Sequence, residues 1–322
     1  MTDTAPPGSA APQVPGHDPN RAGTAYGLLA YGLWGLFPLY FHLLPPAGPL
    51  EILAHRILWT LLVCGGLIAA GRNLDWVRKV FNRPRNVALV TVASLVLALN
   101  WVVYVAAVAA HNVTEASLGY FLNPLVTVAL GVVVLRERLR RLQWLAVGIG
   151  CVAALYLTVD FGRPPWVAIT LALSFATYGL MKNRIGARLT AAQSLTSETL
   201  ALAPMAVGIL AVLAARGSTT FTSDAPWHPA LLAISGPVTA LPLLLFGAAA
   251  RRVPLVTVGL LQFITPVLQL LCGVLLLGEH LGLSRWVGFG MVWLALVALT
   301  VDSVRSARSR SRPVPEPAGM PG

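Results

Sequence analysis

The sequence predicts an all-α integral membrane protein with ten transmembrane helices, arranged as two inverted five-helix repeats. Three observations predict it. The 322-residue chain is 56% hydrophobic and 11% charged, with a mean hydropathy of +0.72. Its positive charges gather in every second loop. One half of the chain repeats the other.

Composition sets the solvent. A soluble domain averages about 25% charged residues, and a chain this apolar has too little polar surface to face water, so the lipid bilayer is its expected partner. The net charge of +11 would point to nucleic acid in a soluble protein; here it belongs to cytoplasmic loops, and no nucleic-acid partner is expected. Cys64, Cys151 and Cys272 lie in apolar runs, where thiols are structural and form no disulfide framework.

Spans of about 20 apolar residues are separated by polar breaks. Residues 1–22, rich in Pro, Gly and Ala, read as a disordered tail with no signal-peptide pattern. The spans then follow at residues 23–44, 50–70, 86–110, 115–135 and 139–159, which form the first repeat. Those at 166–181, 194–215, 229–250, 254–277 and 283–302 form the second. The repeats are bounded as 23–159 and 160–302, and 303–322 is a basic, disordered tail.

Loop charge fixes the orientation. The N-terminal tail and the segments after spans two, four, six, eight and ten hold 19 of the 23 Lys and Arg residues. Arg56, Arg163, Arg216 and Arg285 fall on the opposite side. Both termini are therefore expected in the cytoplasm.

The repeat is clearest in "TEASLGYFLNPLVTVALGVVVLRERLRR", residues 114–141, which returns as "TVGLLQFITPVLQLLCGVLLLGEHLGLSR". A shift of 142 positions pairs Phe121 with Phe263, Pro124 with Pro266, Glu137 with Glu279 and Trp144 with Trp286. A fainter match at 144 pairs Trp34 with Tyr178. Five is odd, so the second copy enters the membrane from the other side. Inverted repeats of this kind mark secondary transporters, whose solute site lies between the copies near mid-membrane.

The segments "EILAHR" (51–56), "NWVVYVAAV" (100–108), "EASLGYFLNPL" (115–125) and "ERLRRLQWLAV" (137–147) resemble the RarD branch of the EamA family, in the drug/metabolite transporter superfamily. The resemblance runs from about residue 26 to 302. It implies ten helices, a plasma-membrane location and permease activity, without a defined substrate. Small multidrug members of that superfamily exchange protons through a glutamate in their first helix. The first span here has no acidic residue, which counts against copying their mechanism.

A charge at mid-bilayer costs on the order of 2.5–3.5 kcal/mol or more unless paired or wetted, so intramembrane ionisable residues are the first functional candidates. Glu51, His55 and Arg56 open span two, with Glu51 and His55 one turn apart, and Glu198 lies in span seven. Spans two and seven are counterparts, so Arg56 and Glu198 are expected to approach each other or a shared cavity. His55 suits proton coupling; headgroup anchoring is the structural alternative for the span-two group. The uncharged candidates for solute contact are Trp34, Asn100, Trp101, Tyr104, Tyr120, Asn123, Tyr178 and Gln262. Their structural alternatives are interhelical hydrogen bonds and interface anchoring. Pro124 and Pro266 read as a symmetric pair of hinge points facing the cavity. Glu137 and Glu279 read as structural, fastening a loop to a helix end.

No Walker A pattern, metal-ligand spacing or cofactor motif occurs in the sequence. The expected function is a secondary permease of a small organic metabolite or drug-like compound, with efflux favoured and proton coupling as an option. The alternatives are an uptake permease for amino-acid-like solutes and, from another class, a membrane enzyme or scaffold. Ten helices supply both halves of a site, so a monomer or weak homodimer is expected.

Overall fold

The computed structural model describes residues 19–71, 76–77, 82–136, 139–160, 162, 164–185, 189–222, 226–250, 252–253 and 261–310. Among these, every regular element is helical. The first copy contributes α1 (Pro19–Gly35), α2 (Phe37–His42), α3 (Pro49–Ala70), α4 (Pro84–Ala109), α5 (Val113–Leu135) and α6 (Arg141–Asp160). The second contributes α7 (Trp166–Ile185), α8 (Ala191–Ala215), α9 (His228–Ala250), α10 (Ile264–Leu271) and α11 (Leu283–Arg310). A π-helical turn, Cys272–Leu276, extends α10.

Local chemistry explains the ends. Pro49 and Pro84 open α3 and α4 at positions where the missing N–H is no loss. Thr190 and Gln193 form a reciprocal capping box at the start of α8. Among the described residues, six helices are long and apolar enough to cross a membrane: α3, α4, α6, α8, α9 and residues 283–302 of α11. Leu62, Leu155, Val159, Leu275 and Leu294 are exposed, a surface that suits lipid and not water. The chain is an integral, multi-span, all-α membrane protein.

Several boundaries differ from expectation. The first span is divided near Leu36 into α1 and α2, with Pro38 in the first turn of α2. The first helix begins at Pro19, inside the expected tail. The last one continues past residue 302 to Arg310. Cys151 is exposed on α6, unlike the buried Cys64 and Cys272. Residues 1–18 and 311–322, Glu137, and residues 254–260 of the ninth span lie outside the described residues.

Packing between the copies is reciprocal. Helix α5 lies on α7 as α1 lies on α10, α4 on α7 as α9 on α1, and α4 on α8 as α9 on α3. Counterpart helices also pack on each other, α3 on α8, α5 on α10 and α6 on α11. The last of these runs antiparallel. Arg140, just before α6, pairs with Asp302 at 2.8 Å near the far end of α11, and Arg285 near the start of α11 meets Asp160 at the end of α6 at 3.8 Å.

Glycines set how closely the helices approach, Gly119 and Gly35 among them. A Cβ on Gly119 would stand 2.9 Å from the Ala168 carbonyl oxygen and 2.9 Å from Leu171 Cβ, which fixes α5 against α7. A Cβ on Gly35 would stand 2.6 Å from the Leu268 side chain, across the α1–α10 contact. Small residues of this kind let membrane helices meet where no hydrophobic drive separates them from lipid.

Candidate functional site

Arg56 sits on α3 seven residues beyond Pro49, about 10 Å along the helix axis, and is 4% exposed. Its guanidinium carbon lies 4.1 Å from the Trp101 ring centre and 5.4 Å from those of Phe37 and Phe41. Its Nε donates to Thr239 Oγ1 of α9 at 2.7 Å. The charge is held by π faces and one hydroxyl, with the hydroxyls of Tyr40, Tyr104 and Tyr120 within electrostatic reach.

An aromatic run leads from this point to Glu198. Phe41 meets Tyr104 at 5.9 Å, Tyr104 meets Tyr120 at 5.7 Å, Tyr120 meets Phe175 at 6.2 Å, and Phe175 meets Tyr178 at 6.2 Å. The Tyr178 hydroxyl donates to Glu198 Oε2 at 2.9 Å, and Ser194 Oγ donates to Oε1 at 2.9 Å. Glu198 is buried. Arg56 and Glu198 thus occupy opposite ends of one polar and aromatic band and belong to separate hydrogen-bond groups. Asn100 fastens the middle. Its Nδ2 donates to the Leu171 carbonyl at 3.1 Å and to Ser174 Oγ at 3.0 Å, and its Oδ1 accepts from Tyr120 at 3.3 Å.

A second group is built by α1, α9 and α10. Trp34, Tyr31 and Phe246 form a ring triad with centroids 5.5–6.0 Å apart. Thr265 donates to the Tyr31 carbonyl at 2.8 Å, and Gln269 donates to the Trp34 carbonyl at 3.2 Å.

His55 and Glu51 lie in a third group, at the start of α3. The Glu51 carboxylate accepts from the Thr219 hydroxyl at 3.0 Å and from the amide and hydroxyl of Thr220 at 2.6 and 2.9 Å. Thr220 Oγ1 lies 2.8 Å from His228 Nε2. His55 stacks on Phe221 at 4.7 Å. Glu51, His55 and His228 are buried beneath the segment that joins α8 to α9.

The proposed hinge pair is not symmetric in setting. Helix α5 runs unbroken through Pro124, whereas Pro266 lies in the first turn of α10, where no intrahelical amide bond is lost. Asn123 is half-buried and its Oδ1 has no partner. Gln262 is half-buried in the turn before α10, while Gln269 is the buried amide of that helix.

Buried polar atoms without a partner recur through this region: the Tyr104 hydroxyl, Asn123 Oδ1, Gln269 Oε1, Thr60 Oγ1 and His55 Nε2. Such an atom costs about 1–3 kcal/mol. A cavity of about 300 Å³ lined by His111, Asn112, Thr114, Glu279, His280 and Arg285 opens elsewhere, beside the start of α5. Glu279 is committed there to capping α5, accepting from the amides of Val113 and Thr114, which is the helix-end role expected of it. Among the described residues no group of three or more His, Cys, Asp or Glu gathers as a metal centre would.

Sequence reasoning missed Thr239, Ser174, Phe175 and Gln269. A lone amide in an apolar run is a readable signal, and Gln269 carried it. Thr239 and Ser174 carried none, because hydroxyls in membrane helices commonly bond their own backbone.

The EamA-like transporter family matches the chain twice, over residues 21–159 and 164–301. Protein RarD of Streptomyces exfoliatus is 50% identical over 293 residues, 91% of this chain and 92% of its own. An uncharacterized transporter of Pseudomonas aeruginosa is 40% identical over 91% of this chain and 98% of its own. A solved crystal structure matches with a TM-score of 0.58 over 88% of this chain and 98% of its own, at 17% identity. That likeness speaks for the fold alone.

Proposed function

The chain belongs to the RarD branch of the EamA-like transporter family, and from that premise we propose that it is a secondary transporter. It moves a small organic metabolite or drug-like compound across the inner membrane by alternating access, with efflux as the first direction. The proposal takes ten transmembrane helices in two inverted repeats, 23–159 and 160–302, between cytoplasmic tails. The reciprocal helix contacts and the antiparallel α6–α11 pair support that arrangement.

The observation that carries the reading is the band from Arg56 to Glu198. Both copies build it, and it includes a buried tyrosine hydroxyl without a partner. A folded core avoids such a group; a solute site uses it, because the solute completes the bonding. Arg56, Trp101, Asn100, Tyr104, Tyr120, Tyr178 and Glu198 are the residues assigned to solute contact or coupling in this band. Asn123 borders it, and Trp34 and Gln262 belong to the counterpart crevice. His55 and Glu198 are the groups assigned to proton coupling.

Transport of candidate solutes into proteoliposomes, with and without a pH gradient, tests the reading. Glu198→Gln should abolish gradient-driven transport while the protein stays folded. Wild-type rates in that variant would remove Glu198 from the mechanism. Uptake of an amino-acid-like solute uses the same apparatus in the other direction, and flux in vesicles of known sidedness separates the two.

A further inference from the structure

We propose that Arg56 is the anion-recognition point of this site, and that the transported solute is an organic carboxylate with an aromatic or apolar body. The inference rests on the transporter reading above and adds the class of solute.

The starting point is an uncompensated charge. Arginine keeps its proton in proteins, and a buried cation normally recruits a carboxylate, because burying it alone is expensive. Arg56 is 4% exposed. Among the described residues no carboxylate bonds to it. The acidic side chains of its own helix and of the counterpart helix, Glu51 and Glu198, are committed elsewhere. Glu51 is taken by Thr219 and Thr220, and Glu198 by Tyr178 and Ser194.

What holds Arg56 is directional. Thr239 takes the Nε hydrogen at 2.7 Å, and the Trp101 ring covers one face of the guanidinium at 4.1 Å. Among the described residues no hydrogen bond is made at the terminal Nη edge, which is left as the free fork. A planar fork matches a carboxylate through two parallel hydrogen bonds. Within electrostatic reach of Arg56 the Tyr104 hydroxyl is buried without a partner, a third donor for an anion bound there. Around them Phe37, Phe41 and Trp101 supply apolar walls. Aromatic rings stabilise the cation before an anion arrives, without competing for the hydrogen bonds an anion needs.

The test uses purified protein in phosphatidylcholine vesicles, so that no anionic headgroup competes. The vesicles receive a desalted extract of bacterial metabolites, and the accumulated compounds are identified by mass spectrometry. Each compound found is then compared with its primary amide, which keeps the shape and removes the charge. Accumulated compounds should be carboxylates, preferred over their amides by about tenfold to a hundredfold. Arg56→Gln should lose that accumulation by at least about tenfold, and Arg56→Lys should keep the preference for acid over amide at lower affinity.

Accumulation of neutral or cationic compounds, or an unchanged set in Arg56→Gln, overturns this inference and leaves the transporter reading standing. If no compound accumulates in any preparation, the transporter reading falls and takes the inference with it. Should Arg56→Gln fail to fold, the acid-to-amide ratio of the wild-type protein decides alone.

Discussion

The two crevices between the copies occupy equivalent places and are built from different chemistry. One is formed by α4, α5 and α7, the other by α9, α10 and α1. In the first, Asn100 joins all three helices through Leu171, Ser174 and Tyr120. At the same 142-residue offset its counterpart is Pro242, and the second crevice instead relies on rings and on bonds from Thr265 and Gln269 to backbone carbonyls of α1. Even the close contact changes owner: Gly119 on α5 serves the first, Gly35 on α1 the second. Duplication has preserved which helices meet and left open which residue makes the meeting possible. One small side chain per helix pair suffices, and either partner can supply it.

The comparison can be broken by substitution, with the largest effect in the first crevice. Gly119→Leu should cost about 3 kcal/mol or more, because its Cβ would meet the backbone of Ala168. Thermal unfolding and gel filtration in detergent should show a small folded fraction. Next comes Asn100→Leu, which strands the Tyr120 hydroxyl while Ser174 keeps its bond to the Thr170 carbonyl, and should cost about 1–2 kcal/mol; a melting temperature equal to wild type would show that Asn100 does not join the crevice. Gly35→Ala would place its Cβ 2.6 Å from Leu268 Cβ, an atom held by the backbone of α10, and should cost about 1–2 kcal/mol. If its unfolding matched that of Gly119→Leu, the two contacts would be equally rigid and the contrast lost. Tyr120→Phe removes one 3.3 Å bond and should change stability by about 0.5 kcal/mol, so any large fall in transport would assign the hydroxyl to solute.

Much of this architecture is legible in the sequence. Pro124 with Pro266 and Trp144 with Trp286 reveal the duplication, because membrane helices repeat faithfully enough for rare residues to align. Arg56 and Glu198 stand out because lipid makes charge conspicuous. Their partners do not. Thr239 lies 183 positions from Arg56, and nothing in a threonine within an apolar run marks such a bond. The swapped ion pairs of Arg140 with Asp302 and Arg285 with Asp160 are hidden for the same reason. Pro124 misleads in the other direction. Loss of one amide bond does not end a membrane helix whose neighbours hold it in place.

One feature of the helix ends bears on how the chain is made. Glu279, from the second copy, caps the start of α5 in the first. Glu115, from the first, accepts the Val167 amide at the start of α7 in the second. Each half therefore depends on the other to finish a helix. During synthesis at about 5–20 residues per second, α5 enters the bilayer and waits roughly ten to thirty seconds for its cap to leave the ribosome. A gene cut between codons 160 and 166 would yield two fragments, each with a helix start left open until they met in the membrane.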